Sequence, residues 1–431
     1  MNCFKRVMCI AAAIVCAVTC GGCWDKRELS DLAVVMGIAI DAGSGDNGET
    51  VTISAQIANA EKSGGSPEEG SGGKSYNNFT RSGGSAFEVL RGMTHLSSRQ
   101  LYNSHNQIVV FGSELAEKQG VSDVIDFFMR DNEIRYSMLI AVADGKAAEL
   151  FDASPEYEQV PARELAELIL VQSKNSGSAV CTLLDFMSCG VSVGKAALVP
   201  LVKTVKPSSE QQQGQQESGG QQGSGEQQKS GEQQGSGGQS GEKRLEVSGS
   251  AVFDGVKMVG KLNTEETRGA LWVRQGVKAG ILPVETDGVT ANIELFGSRC
   301  KFDVKLDKEK KASADISCAV HTNLGEIKGY VGEINGELVA RLKEVCKKKI
   351  ESEIRHTYDK SKDIECDVFG FGDNLYRYSF SDWLSVKDDW IAVYKDMTLN
   401  IKVSVDIDGI GEISEGIPLK NGDIAGSEEN K

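Results

Sequence analysis

The chain is 431 residues long and carries a formal net charge of −15. So large an acidic excess makes it a poor ligand for nucleic acid or for anionic lipid surfaces. The length accommodates two or three subdomains.

At the N-terminus, Lys5 and Arg6 precede an apolar run, residues 7–18, that holds no charge and no proline, which is the layout of a signal peptide. The run falls short of the roughly 20 residues that cross a hydrocarbon core about 30 Å thick, so it directs export and does not span. It ends in Thr19-Cys20-Gly21-Gly22-Cys23. Small residues before a cysteine are what lipoprotein processing needs, so Cys23 is the expected lipid attachment residue and new N-terminus of the mature chain. Cys20 competes for that role, although Val18 and Thr19 fit less well than Gly21 and Gly22, and Leu is more usual at position 20. The plainer alternative is an ordinary signal peptide with incidental cysteines. Two acyl chains, at about 0.8 kcal/mol per buried CH₂, anchor stably where one does not. Loss of residues 1–22 removes Lys5 and Arg6 and no acid, which takes the formal charge from −15 to −17. The anchor must then supply the membrane affinity.

Beyond the lipobox, Asp25 with Glu28 opens a short helical turn in the manner of a capping box. Residues 33–40 form a nearly continuous apolar run, and Val51, Ile53, Ala55 and Ile57 alternate with polar neighbours; the two read as adjacent strands joined by a turn at 41–48. A Gly/Ser/Glu insertion covers 61–75. Ser85, with Glu88 three residues on, caps a helix whose Ala86, Val89, Leu90, Met93 and Leu96 share one face. A strand is expected at 108–111, a helix capped by Ser122 at 121–129, a strand at 134–142, and a helix with proline at its start at 161–172. These elements make an N-terminal α+β region, residues 23–206.

Residues 207–244 contain no aliphatic or aromatic side chain and cannot bury enough apolar area to offset their ordering entropy. This low-complexity flexible segment, disordered by composition, spans on the order of 35 Å as a coil. It either separates two folded halves or forms one long excursion from a single body. A C-terminal α+β domain, residues 245–408, follows. Strands are expected at 247–253 and 258–262 around an Asp254-Gly255 turn, then a helix capped by Asn263 with Glu266 and running through Trp272 and Val273. Further strands fall at 289–296, 300–306 and 312–321. Leu338, Leu342, Val345, Cys346, Ile350 and Ile354 mark a long helix, and alternation from Leu399 to Ile407 marks a last strand with one buried and one wet face. A polar tail, 409–431, closes the chain. The fold class is α+β, with mixed or antiparallel sheets and packed helices in two or three subdomains.

Catalytic chemistry has little to stand on. His95 and His105 could meet across a helix end and a strand, but no Cys or carboxylate joins them at metal-ligand spacing, and they read as structural. Neither a GxSxG elbow nor a GxxxxGK[ST] loop occurs. Phe369-Gly370-Phe371-Gly372 lacks the third glycine of a dinucleotide fingerprint, and Asp406 and Asp408 match a calcium loop only superficially; a tight turn and a strand end explain them. Asn78-Phe79-Thr80 fits a glycosylation acceptor by chance. Lys347-Lys348-Lys349 reads as a solvated helix face. The six cysteines outside the leader are scattered and read as buried thiols, with one or more disulfides as the alternative. No enzyme activity, metal or cofactor is expected.

The opening of the mature chain, Cys23-Trp24-Asp25-Lys26-Arg27-Glu28-Leu29, resembles that of the Ger(x)C family, the lipoprotein C subunits of GerA-type spore germinant receptors. Similar blocks follow in order. They are residues 85–99 with Tyr102 and His105, Asp126 to Asp131 running into Glu133-Ile134-Arg135, residues 249–253, Gly260 to Asn263, Glu266 to Gly269 with Leu271-Trp272-Val273, residues 367–372, and Trp390. From the residues themselves, Arg130, Asp131, Glu133 and Arg135 pair with one another or with backbone, or else face a partner. Trp272 reads as a core anchor, and Gly370 and Gly372 as positions of close backbone approach. The resemblance implies three α+β domains, no catalysis, and a place on the extracytoplasmic face of the inner spore membrane, with A-type and B-type receptor subunits as partners in nutrient-triggered germination. The Gln/Gly/Ser segment, the insertion near residue 65 and Cys20 depart from the family pattern. The rival reading is a solute-binding lipoprotein that captures a small nutrient for a transporter, against which the consecutive strands of the second half argue.

Overall fold

The computed structural model describes residues 31–45, 51–59, 74–95, 97–206, 243–330, 332–409 and 415–416, with isolated positions among the first ten. The predicted leader, Cys23, the Asp25–Glu28 turn, nearly all of the 61–75 insertion, Leu96, residues 207–242 and most of the polar tail lie outside the described residues.

Two sheets and the helices packed on them account for the architecture, which is α+β as expected. The first is a mixed nine-stranded sheet. Strands β1 (Leu32–Ala42), β2 (Val51–Ala58) and β3 (Tyr76–Gly83) pair antiparallel, while β1 also pairs in parallel with β4 (Gln100–Tyr102) and β5 (Ile108–Gly112). From β5 the sheet continues in parallel through β6 (Leu139–Ala143) to β7 (Ala197–Val205), and then antiparallel through β8 (Arg244–Asp254) to β9 (Lys257–Leu262). Every residue of β5 and β6 is buried. That is why both read as unbroken apolar runs: central parallel strands are covered on both faces. One face carries α1 (Ala86–Gly92), α2 (Ser122–Arg130) and α4 (Leu183–Gly190) over a core that includes Leu90, Phe128, Phe186 and Phe253. The other carries α3 (Pro161–Val171) over Ile108, Val110, Phe151, Leu165 and Ile169.

Two expectations shift here. The strand expected at 134–142 begins only at Leu139, because Asp131 Oδ1 accepts the Glu133 N–H at 2.9 Å and the Met138 N–H reaches the Arg135 carbonyl at 3.0 Å. Side-chain-closed turns of this kind compete with strand extension. In α2, Ser122 is the first helical residue and Val121 occupies the cap without a side-chain bond.

The low-complexity segment leaves and re-enters one sheet, since Val205 at the end of β7 pairs directly with Arg244 at the start of β8. Residues 245–262, expected with the C-terminal domain, thus complete the N-terminal sheet and cover an edge that β7 would otherwise leave open. Of the two readings of 207–244, the excursion from a single body is the one this pairing matches.

The second sheet has four strands in the order β10 (Gly280–Thr286), β11 (Val289–Leu306), β12 (Ala312–Lys328) and β14 (Thr398–Gly409). All neighbours are antiparallel except the β12–β14 pair. The strands expected at 289–296 and 300–306 are one strand whose register shifts at Gly297. Helix α5 (Thr264–Arg274) carries a full capping box, Asn263 Oδ1 accepting the Glu266 N–H at 2.9 Å and Glu266 Oε2 the Asn263 N–H at 2.8 Å. The 28-residue α6 (Gly336–Asp363) lies over the sheet and buries Leu338, Leu342, Cys346, Ile350 and Ile354 completely. Short helices α7 (Phe371–Tyr378), α8 (Phe380–Val386) and α9 (Trp390–Lys395) fill the approach to β14, and β13 (Gly332–Glu333) pairs with β15 (Glu415–Gly416). Among the six cysteines, Cys300 and Cys318 face each other across β11 and β12 and form a disulfide. Cys181, Cys346 and Cys366 are buried thiols, and Cys189 is half-buried.

Candidate functional site

Among the described residues, a concavity lies between α1 and α2. Ser85 Oγ caps α1 by accepting the Glu88 N–H at 3.2 Å, and Ala86, Val89 and Leu90 turn into the core. That rotation sends Phe87 outward, where it is 62% exposed. Helix α2 buries Val124, Ile125 and Phe128 and presents Asp123, Asp126 and Arg130 outward, with Phe127 between the two faces. Phe127 meets Phe87 at a ring-centroid distance of 6.1 Å. Together with Leu90, Leu101 and Gln100 these rings line a groove of about 590 Å³.

Charge decorates its lip. Arg130 Nε donates to Asp126 Oδ2 at 2.8 Å, and that hydrogen bond holds the Asp126 carboxyl below its ordinary range. Glu133 Oε2 accepts the Asn103 N–H at 3.3 Å. Of the predicted charged junction, Arg130, Asp131 and Glu133 therefore pair within the fold, and Arg135 is exposed. The lip is of mixed charge, with Arg91 and Arg130 beside Asp123, Asp126, Asp131 and Glu133, around an apolar floor.

In the second half, the family-like blocks build two buried polar clusters. Glu353 of α6 accepts from Arg268 Nε at 3.0 Å, Arg268 Nη2 at 2.5 Å and Trp272 Nε1 at 2.9 Å. Trp272 is fully buried and is the core anchor the sequence suggests. The bare backbone of Gly269 lets α5 lie against α6, where Thr357 Oγ1 donates to the Glu266 carbonyl at 2.8 Å.

Asp367 forms the second cluster. Its carboxylate accepts the N–H groups of Phe369 at 3.1 Å and of Gly370 and Gly372 at 2.8 Å, and the Trp390 indole at 3.2 Å. Burial pushes this carboxyl up to about 6, with the hydrogen bonds pulling the other way. Gly370 sits at φ +79°, and a Cβ on Gly372 would stand 2.8 Å from the Trp390 Nε1, so both glycines serve the close approach expected of them. The Asp367 carbonyl also accepts the Ala196 N–H at 2.9 Å, and Arg274 bridges the Ala196 and Val368 carbonyls at 2.9 and 3.0 Å. The cluster thus ties the entry to β7 in the first sheet to the helices of the second. Its signal was present in the sequence as an Asp followed at three and five residues by Gly.

Other candidates fall apart from any site. The His105 ring packs tilted against Tyr102 with centroids 5.8 Å apart, and His95 ends the turn after α1. Asp408 pairs with His321 and Asp406 with Lys343 at the end of β14. Lys347 and Lys349 pair with Glu344 and Glu265. The Asn78 amide is engaged by Gln56, by Asp152 and by the Phe151 carbonyl. Among the described residues no group of three His, Cys, Asp or Glu side chains could hold a metal ion, and no helix is long and apolar enough to cross a membrane. Cys23 lies outside the described residues.

Comparison with known proteins places these features. Residues 25–204 match the model of the spore germination protein N-terminal domain, and residues 248–411 match that of the spore germination B3/GerAC-like C-terminal domain. The chain is similar to spore germination protein KC of Bacillus subtilis (strain 168), 24% identical over 93% of this chain and 94% of that one. It is also similar to spore germination protein B3 of the same organism, 22% identical over 91% and 95%. The fold is similar to that in the crystal structure of the GerBC protein, with a TM-score of 0.51 and 18% identity over 89% of this chain and 100% of that one.

Proposed function

We propose, because this chain belongs to the GerC-type family of spore germination proteins, that it is the non-catalytic C-type lipoprotein subunit of a nutrient germinant receptor. The observation that carries the reading is the match of both family domains, in order, along nearly all of the chain that would remain after export. On this reading residues 1–22 are removed, Cys23 carries the lipid, and the body stands on the extracytoplasmic face of the inner spore membrane. There it contacts A-type and B-type subunits. The lipid fixes orientation and raises the body's effective concentration beside those partners, so that modest interfaces suffice. The polar clusters at Glu353 and Asp367 hold a rigid scaffold, and the surfaces around it do the work of assembly.

Spores lacking the protein should fail to respond to at least one nutrient germinant. The response should return with the wild-type gene and be impaired with Cys23→Ala. Unchanged germination in every nutrient tested would sink the proposal.

A further inference from the structure

We infer that a concavity at the junction of the two sheets is an anion site, one that takes the phosphoryl group of a small phosphate monoester. It measures about 550 Å³ and lies between the loop before β7, the end of α5, residues 300–303 of β11 and helix α7. Four cations line it, Lys195, Arg274, Lys301 and Arg377, against two carboxylates, Asp303 and Asp373. Both carboxylates are already engaged. Asp373 accepts from Arg377 Nε at 2.8 Å and from Ser192 Oγ at 2.7 Å, and Asp303 lies 3.4 Å from Lys305 Nζ. By contrast, Lys195, Arg274 and Lys301 form no ion pair among the described residues, and Arg274 directs its donors to the Ala196 and Val368 carbonyls and the Cys189 sulfur. The chain has 62 acidic residues against 47 basic ones, so cations gathered here without acids are a local excess of like charge that a bound anion would relieve.

The cations are held in place before any ligand arrives. Both neighbours of Lys195 are tied to the turn that starts α7: the Gly194 carbonyl accepts the Asp373 N–H at 3.2 Å, and the Ala196 N–H donates to the Asp367 carbonyl at 2.9 Å. The Lys195 stem lies against Gly370, where a Cβ would stand 3.1 Å from its Cγ. Gly370 thus leaves room for the lysine as well as for the backbone turn. A preorganised site loses less freedom on binding. The class of ligand follows from the donors that remain. Arg274 Nη1 is held by two carbonyls and Arg377 Nε by Asp373, so each guanidinium is committed on one edge. The two ammonium groups, compact charges with three rotatable donors each, suit a phosphoryl dianion better than a planar carboxylate. Phe302 and Tyr378 line the same concavity, Tyr378 being 78% exposed, and give a ring-bearing or apolar body a surface to rest on.

Phenyl phosphate is the probe, titrated calorimetrically into the full-length protein in a zwitterionic detergent. It should bind with an affinity that falls as salt is added, and benzoate should bind at least about tenfold more weakly. Lys195→Gln and Lys301→Gln should each weaken phenyl phosphate at least about tenfold, as expected for loss of a hydrogen bond to a charged group, without lowering the melting temperature. Lys301 is exposed, so its variant reports on the site even if Lys195→Gln proves less stable. Asp303→Asn, which removes a like charge from the wall, should tighten binding. Glycerol phosphate and a dispersed short-chain phosphatidate, used as competitors, distinguish a soluble ester from a lipid headgroup, the natural source being the one that displaces the probe at the lower concentration. Absence of phenyl phosphate binding, equal binding of benzoate, or an affinity that either folded lysine variant leaves unchanged would overturn the inference. None of those outcomes touches the receptor role, which is read from germination of spores.

Discussion

Replacement of Glu353 by Ala should be among the most damaging single changes in the second half of the molecule. Its carboxylate is 2% exposed and the Arg268 guanidinium 11% exposed, so water can compensate neither if its partner leaves. Deleting one member of a buried ion pair costs about 3–5 kcal/mol, because the remaining charge stays desolvated. The Trp272 indole would lose its acceptor as well, an effect of about 1–3 kcal/mol taken alone that overlaps with the first. At a urea dependence of about 2 kcal/mol per molar, a loss near 4 kcal/mol moves the midpoint down by ~2 M. Tryptophan fluorescence is the natural probe, since Trp272 sits in the cluster. The mechanism makes a second, sharper demand. Arg268→Met with Glu353→Leu removes both charges, so only the indole stays unsatisfied and the loss should shrink to about 1–3 kcal/mol. If Glu353→Ala costs under about 1 kcal/mol, or if the double variant is no better than the single one, the buried pair is not what holds α5 to α6.

Three further outcomes are expected. Asp367 has a carboxyl raised to about 6 by burial, so the folded state holds its proton more tightly than the unfolded chain does, and its contribution to stability is full below about pH 4 and is lost as pH rises through 6. Wild type should therefore lose up to roughly 3 kcal/mol more than Asp367→Asn between those pH values; denaturation curves with parallel pH dependence would remove the buried carboxyl from the account. Gly269→Ala would set a Cβ 2.0 Å from Thr357 Oγ1 and 2.4 Å from the Glu353 carbonyl oxygen, so α5 and α6 must part. The expected loss, about 1–3 kcal/mol or more, appears as a lowered melting temperature, and an unchanged one would show that the helices can yield. Reduction of the Cys300–Cys318 disulfide, which links residues 18 apart, should cost up to about 3 kcal/mol through the unfolded state, read as a midpoint that falls on adding a thiol reductant; an indifferent midpoint would contradict it.

Local pattern carried far in this chain wherever packing has one wet side. Alternation along β14 and the three-to-four spacing of Leu338, Leu342, Cys346 and Ile350 are direct images of a single buried face, and the Asn263–Glu266 box was readable because its bonds close within four residues. What escaped depends on distant parts of the chain. Nothing local tells that residues 244–254 pair with 197–205 across the low-complexity segment, so the joining of β8 and β9 to the first sheet was not legible. The helices after Gly370 were hidden because their start is set by the Asp367 carboxylate and by Trp390. Cys300 and Cys318 looked like any scattered thiols until the β11–β12 register set them opposite each other. The groove was invisible for the same reason: Phe87 and Phe127 lie on separate helices that only the sheet beneath brings together.

The receptor-subunit reading is tested most directly by recovery from detergent-solubilised spore membranes through an affinity tag on the C-terminus, with Cys23→Ala as control. The account predicts that a membrane-spanning transporter-like protein and a second large subunit come with the wild-type chain and are lost or much reduced with the variant; recovery of the wild-type chain alone would contradict it and favour a solute-binding lipoprotein.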